Sequence, residues 1–95
     1  MTTKRLKTYR TLNLELESCT DARRKRAITQ EMNEILDWIY SLTDPLAVSV
    51  FKERYIAARK DRSIKPRAWW QVAQVLHYSE DHIKHIHSHV INAQK

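Results

Sequence analysis

Five histidines fall within thirteen residues, His77, His82, His85, His87 and His89, and they are the side chains best suited to ligate a metal or move a proton near neutral pH. On a helix His82, His85 and His89 share a face, at spacings of three and four that suit a transition metal. Specific sites of that kind add a cysteine or carboxylate from another element. The one cysteine, Cys19, belongs to a distant segment, so no metal is expected. Catalytic chemistry has little to stand on either. With no glycine in the chain there is no glycine-rich phosphate loop, and no Ser-His-Asp or Cys-His constellation can be argued from position. Glu80 and Asp81 are adequately explained as acids at a helix start. The expectation is a protein that is not an enzyme and needs no cofactor.

Charge is the other resource. Seventeen Lys and Arg against eleven Asp and Glu give a net charge of +6, which favours a polyanionic partner. The densest positive segment is Lys52 to Arg67, where seven basic residues meet only Glu53 and Asp61. A solvated loop and helix face would have the same composition.

The elements that must position these groups are helices. Ninety-five residues without glycine offer almost nothing for tight hairpins, and so short a chain buries a thin core that would gain from a partner. Leu6, Tyr9, Leu12 or Asn13, and Leu16 predict one helix over residues 4–18. Ile28, Met32, Ile35, Ile39 and Leu42 form a heptad seam in a second helix, capped by Asp21 and running to about Leu42. Arg23-Arg24-Lys25-Arg26 sits at the positive end of that helix. This unfavourable placement is offset either by an anion or by fraying of the run into solvent. Asp44-Pro45 opens a third helix reaching about Arg59, with Leu46, Val50 or Phe51, Tyr55, Ala58 and the stem of Arg54 inward. A basic connection follows. Trp69 to Leu76 form a fourth helix, and Ser79 caps a fifth that carries Ile83, Ile86, Val90 and Ile91. Trp69 and Trp70, about 100° apart on a helix, are both expected to pack at least in part; the outward one could offer its indole N–H to a phosphate.

The last two helices fit a helix-turn-helix template. Ala73 is the small residue at the crossing, Val72 and Leu76 lie on the buried side, Tyr78 fills the apolar place in the turn, and Ile83 and Ile86 anchor the second helix. His77 stands where glycine is common, which calls for a different turn geometry. Two ordinary packed helices with a short turn meet some of the same offsets.

At this point the residues resemble a family. Asp44-Pro45, Arg54-Tyr55, and the run Trp69-Trp70-Gln71-Val72-Ala73-Gln74-Val75-Leu76-His77-Tyr78-Ser79-Glu80-Asp81-His82-Ile83-Lys84-His85-Ile86-His87 look like domain 4 of bacterial sigma factors. More closely, they look like the small phage and prophage late-gene regulators of the RinA/ArpU type that carry a sigma-like domain 4. The resemblance covers roughly residues 44 to 93; the N-terminal hairpin is matched only in being helical. It implies sequence-specific binding of double-stranded DNA near a promoter, contact with RNA polymerase, and a phage or mobile-element origin. The last helix would then enter the major groove and offer Ser79, Glu80, Asp81, Lys84, His85 and Ser88 to base edges or flanking phosphates. Its acidic first turn, without arginine, departs from the family. Glu80 or Asp81 can accept from cytosine N4, and Lys84 can donate to guanine. Phosphate contacts would fall to Arg59, Lys60, Arg62, Lys65 and Arg67, with strong weakening by salt. Imidazoles beside phosphates would gain charge, giving mildly pH-dependent binding.

The expectation is thus an all-α protein: a helical hairpin over residues 1–43, then a three-helix, sigma-domain-4-like reading unit over residues 44–95. The hairpin seam, longer than its partner helix covers, points to a homodimer reading paired half-sites. One alternative is an adaptor that docks on host RNA polymerase or a sigma factor without reading DNA; another is the DNA-recognition subunit of a packaging machine. Met1-Thr2-Thr3-Lys4-Arg5 has no apolar stretch behind it, and no apolar run approaches about 18 residues, so the expected place is the host cytoplasm, away from membranes.

Overall fold

The computed structural model describes residues 1–59 and 61–94, and they form an all-helical protein with no strand among the described residues. The first predicted helix is two. α1 spans Thr3–Leu6 and α2 spans Tyr9–Ser18. The break has a local cause: in a continuous helix the carbonyl of Arg5 would accept from the N–H of Tyr9. Instead both the backbone N–H and the hydroxyl of Thr8 donate to it, at 3.1 and 2.6 Å, a threonine competing with the helix ladder.

α3 spans Ala22–Tyr40. The Asp21 carboxylate accepts from the N–H groups of Arg23 and Arg24 at 2.9 and 3.4 Å. Arg24 also pairs with Glu15 at 2.7 Å, while Arg5 near the chain start pairs with Glu31 and Glu34. Low numbers meet high ones, so the first two helices and α3 run in opposite directions. Ile28, Met32, Ile35 and Ile39 are all buried within the single chain. Leu42, at the end of that seam, is half-buried.

α4 spans Pro45–Phe51, with Asp44 accepting from the N–H of Leu46 at 3.0 Å. It continues for one wide π turn over Lys52–Ile56, closed by the N–H of Ala57 donating to the carbonyl of Lys52 at 2.8 Å. The helix therefore stops short of Arg59: Ala57 is already extended, and Ala58 is exposed rather than inward. α5 spans Trp69–Leu76 and α6 spans Glu80–Ala93.

Two apolar clusters share α4. Leu6, Ile35, Ile39, Phe51 and Tyr55 form the first, with Val90 and Ile91 packed against it. Val50, Val72, Ala73 and Ile83 form the second, closed by Trp69, Leu76 and Ile86. The first cluster draws on residues from both sides of the turn at 43–44, so the two expected segments share a core.

Candidate nucleic-acid interface

The junction of α5 and α6 is built around a small residue. Ala73 is buried in the same cluster as Val72 and Ile83, where a longer side chain would force the helices apart. α5 ends on His77, whose backbone is left-handed at φ 62° and ψ 39°. The turn keeps the conformation a glycine would adopt, so the expected change of turn geometry does not occur; histidine is among the residues that tolerate it. The N–H groups of His77 and Tyr78 both donate to the carbonyl of Ala73. Tyr78 departs from expectation. It does not fill an apolar place in the turn but is 48% exposed, its ring stacked on His82 at 5.2 Å. The partly buried side chains that close the cluster are Trp69, Leu76 and Ile86 instead.

α6 has two unlike faces. Inward, Ile83 is buried, and one turn on His87 is buried as well. The His87 ring stacks on Phe51 and meets the edge of Trp69, each at 4.9 Å, and its Nε2 shares a hydrogen bond of 2.6 Å with the Tyr55 hydroxyl. Burial first, then the positive charges of Arg54 and Lys7, pull this imidazole down to about 4, so it is neutral at physiological pH. Outward, Ser79, Glu80, Asp81, Lys84, His85 and Ser88 are all exposed. Ser79 is partly engaged, its hydroxyl accepting from the N–H of His82 at 3.2 Å. Lys84 Nζ lies 4.0 Å from Glu80, one turn back. His85 stacks beside His89 at 6.3 Å, and His82 turns away to Tyr78. Among the described residues, no three or more His, Cys, Asp or Glu are placed to hold a metal.

The basic connection is a different kind of structure. It has no helix of its own, so its carbonyls need donors, and arginines supply them. Buried Arg10 reaches across from α2 to donate to the carbonyls of Arg54 at 2.8 Å, Ala57 at 2.9 Å and Lys65 at 3.2 Å. Arg54 donates to the carbonyl of Arg67 at 2.7 Å and lies over the ring of Trp69 at 3.8 Å. Arg59 donates to the carbonyls of Lys65 and Pro66 and pairs with Asp61; Arg67 pairs with Glu53 and donates to the carbonyl of Ala58. Burial, and then the cations Arg59, Arg67 and Arg54, lower Arg10 to about 10, still cationic at neutral pH. Two of the five expected phosphate ligands, Arg59 and Arg67, thus have part of their donors engaged by the fold. Arg62 and Lys65 are exposed, Arg62 only 3.5 Å from Glu17, and Lys60 lies outside the described residues.

Trp69 packs as expected. Trp70 does not: it is 57% exposed, at the rim of an open cleft that Arg59, Arg67, Gln71, Gln74 and Val75 also line. The structure sets Arg59 and Arg67 beside α5. Sequence reasoning missed Arg10 and His87, which hold the site from behind. The signal for Arg10 is its place four residues after Leu6, inside the apolar stripe. His87 has the same signal, four residues after Ile83. No family model, curated protein or solved structure matches the chain.

Proposed function

We propose that the chain is a sequence-specific, double-stranded DNA-binding transcriptional regulator of phage or prophage origin, working in the cytoplasm of a bacterial host. Residues 44–95 act as a sigma-domain-4-like helix-turn-helix behind the hairpin of residues 1–43. α6 enters the major groove and offers Ser79, Glu80, Asp81, Lys84, His85 and Ser88. One observation carries this reading: the whole outward side of α6 is polar and open, while Ile83 and His87 fix its inner side to α4 and α5. Such an element can be inserted into a groove without unfolding anything. The net charge of +6 supplies the long-range attraction, and Arg62 and Lys65 are the exposed cations among the described residues of the connection.

The adaptor reading has its own support. The first turn of α6 carries two acids, and its one lysine is drawn to Glu80, a poor opening towards phosphate. RNA polymerase or a sigma factor would then be the partner. Selecting bound sequences from random duplex DNA separates the two readings. Under the first, Lys84→Ala loses sequence preference, and the double change Arg62→Ala, Lys65→Ala weakens all duplexes alike with a flatter salt dependence. Retention on polymerase with no selection of any duplex favours the adaptor.

A further inference from the structure

We propose that the cleft on the outer side of α5 takes an unpaired nucleobase, stacked on Trp70, together with the phosphate that carries it. The inference rests on the reading of the partner as nucleic acid but concerns a different face from that of α6. Trp70 contributes little to the core. At 57% exposure it leaves a large planar ring in water beside Val75, itself 47% exposed, although the adjoining Trp69 is packed under Arg54. An aromatic ring held open on a short, well-anchored helix is what a base requires for stacking, whatever its identity.

The rest of the lining is polar rather than apolar. Gln71 and Gln74 flank the ring. The cap on α5 uses only Oε1 of Gln71, which accepts from the N–H of Ala68 at 3.2 Å, so its amide N–H groups remain as donors; primary amides match the mixed donor and acceptor edge of a base. Arg59 and Arg67 sit alongside. Each guanidinium carries five donors, and the internal bonds of Arg59 and Arg67 do not use them all. The opposing charge is Asp61, which also lines the cleft. Its carboxylate is held low, first by the N–H of Ser63 and then by Arg59 at 3.1 Å, so much of its charge is answered within the loop. The space is about 390 Å³, within the range of ordinary small-ligand sites. Among the described residues a greasy peptide side chain would find only Trp70 and Val75 here. A flat, hydrogen-bonding ring on an anionic strand matches every described group in the lining but Asp61. Because α5 packs on α6, the cleft belongs to the same body as the reading face.

The test measures binding of the full chain to a labelled oligothymidylate, to the same strand with abasic sites, and to duplex DNA. Oligothymidylate should bind, Trp70→Ala should weaken it by about fivefold to a hundredfold, and Trp70→Phe should weaken it less. The abasic strand should bind the unaltered protein no better than oligothymidylate binds Trp70→Ala, and duplex affinity should not change in either variant. An unshifted thermal melt for Trp70→Ala confirms that the exposed ring is not needed for folding. The proposal is overturned if Trp70→Ala binds the strand like the parent, if the abasic strand binds equally well, or if duplex binding falls in step. Duplex binding without strand binding sinks this proposal alone; binding to neither sinks the DNA reading with it.

Discussion

Two of the regions rich in charged and polar side chains use them in opposite ways. On α6 the outward residues from Ser79 to Ser88 stand exposed on a regular helix whose backbone calls on the side chain of Ser79 alone among them, as its cap. In the connection after α4 the chain has left the helix, and the backbone consumes side chains instead. Arg10, Arg54, Arg59 and Arg67 all donate to carbonyls there. The count of basic residues in Lys52 to Arg67 therefore overstates the donors left for a ligand: Arg59 and Arg67 can offer only those that the fold does not use. Regular structure frees side chains for recognition; irregular structure recruits them.

The contrast can be broken at either end. Ile83→Ala removes the buried anchor of α6 and should destabilise the protein by about 2–5 kcal/mol in urea unfolding, the usual range for a truncated core isoleucine. A loss under about 0.5 kcal/mol, typical of surface substitutions, would mean that α6 is not held as described. Arg10→Met is expected to follow with about 1–3 kcal/mol, because it strands the carbonyl of Ala57 and removes one of the two donors to that of Arg54, which keeps the N–H of Arg67. Arg10→Lys should recover only part of this, since one ammonium cannot copy the guanidinium fork.

Acid sharpens the same comparison without mutation. The imidazole of His87 is lower in the folded state, about 4, than its ordinary 6.5, so between those values the unfolded chain binds the extra proton. Its contribution to stability is complete above about 6.5 and is lost as pH falls towards about 4. His87→Phe should flatten that part of the stability profile. The smallest effect belongs to Arg62→Ala with Lys65→Ala. It should shift stability by less than about 0.5 kcal/mol in the same unfolding experiment, because neither side chain supports the fold.

Much of the helical framework was legible from spacing. Asp21, Asp44 and Ser79 cap the helices they were expected to cap, and the Ile28 to Ile39 seam is buried. Side-chain pattern reports which face a regular helix turns inward, and it works where the helix is regular. It failed at Thr8, where a hydroxyl competes for one carbonyl, and after Phe51, where a π turn ends the third helix early. It failed again at Tyr78, which the template set in an apolar place, and at Trp70, which was expected to pack; both are exposed, and neither belongs to the cluster that Trp69, Leu76 and Ile86 close. The outward residues of α6 were named correctly as exposed, because the two faces of an amphipathic helix are complementary.

Composition and periodicity by themselves determined an all-helical chain, its principal caps, and the identity of the residues on the open side of α6. These depend on neighbours within one or two turns, which a sequence states directly. Only tertiary structure decided which arginines remain available and that His87 is a neutral core residue. It alone decided, too, that Trp70 stays in the open. Those outcomes depend on carbonyls and rings brought together from dozens of residues apart, as when Arg10 reaches the carbonyl of Lys65, and no local pattern encodes such a meeting.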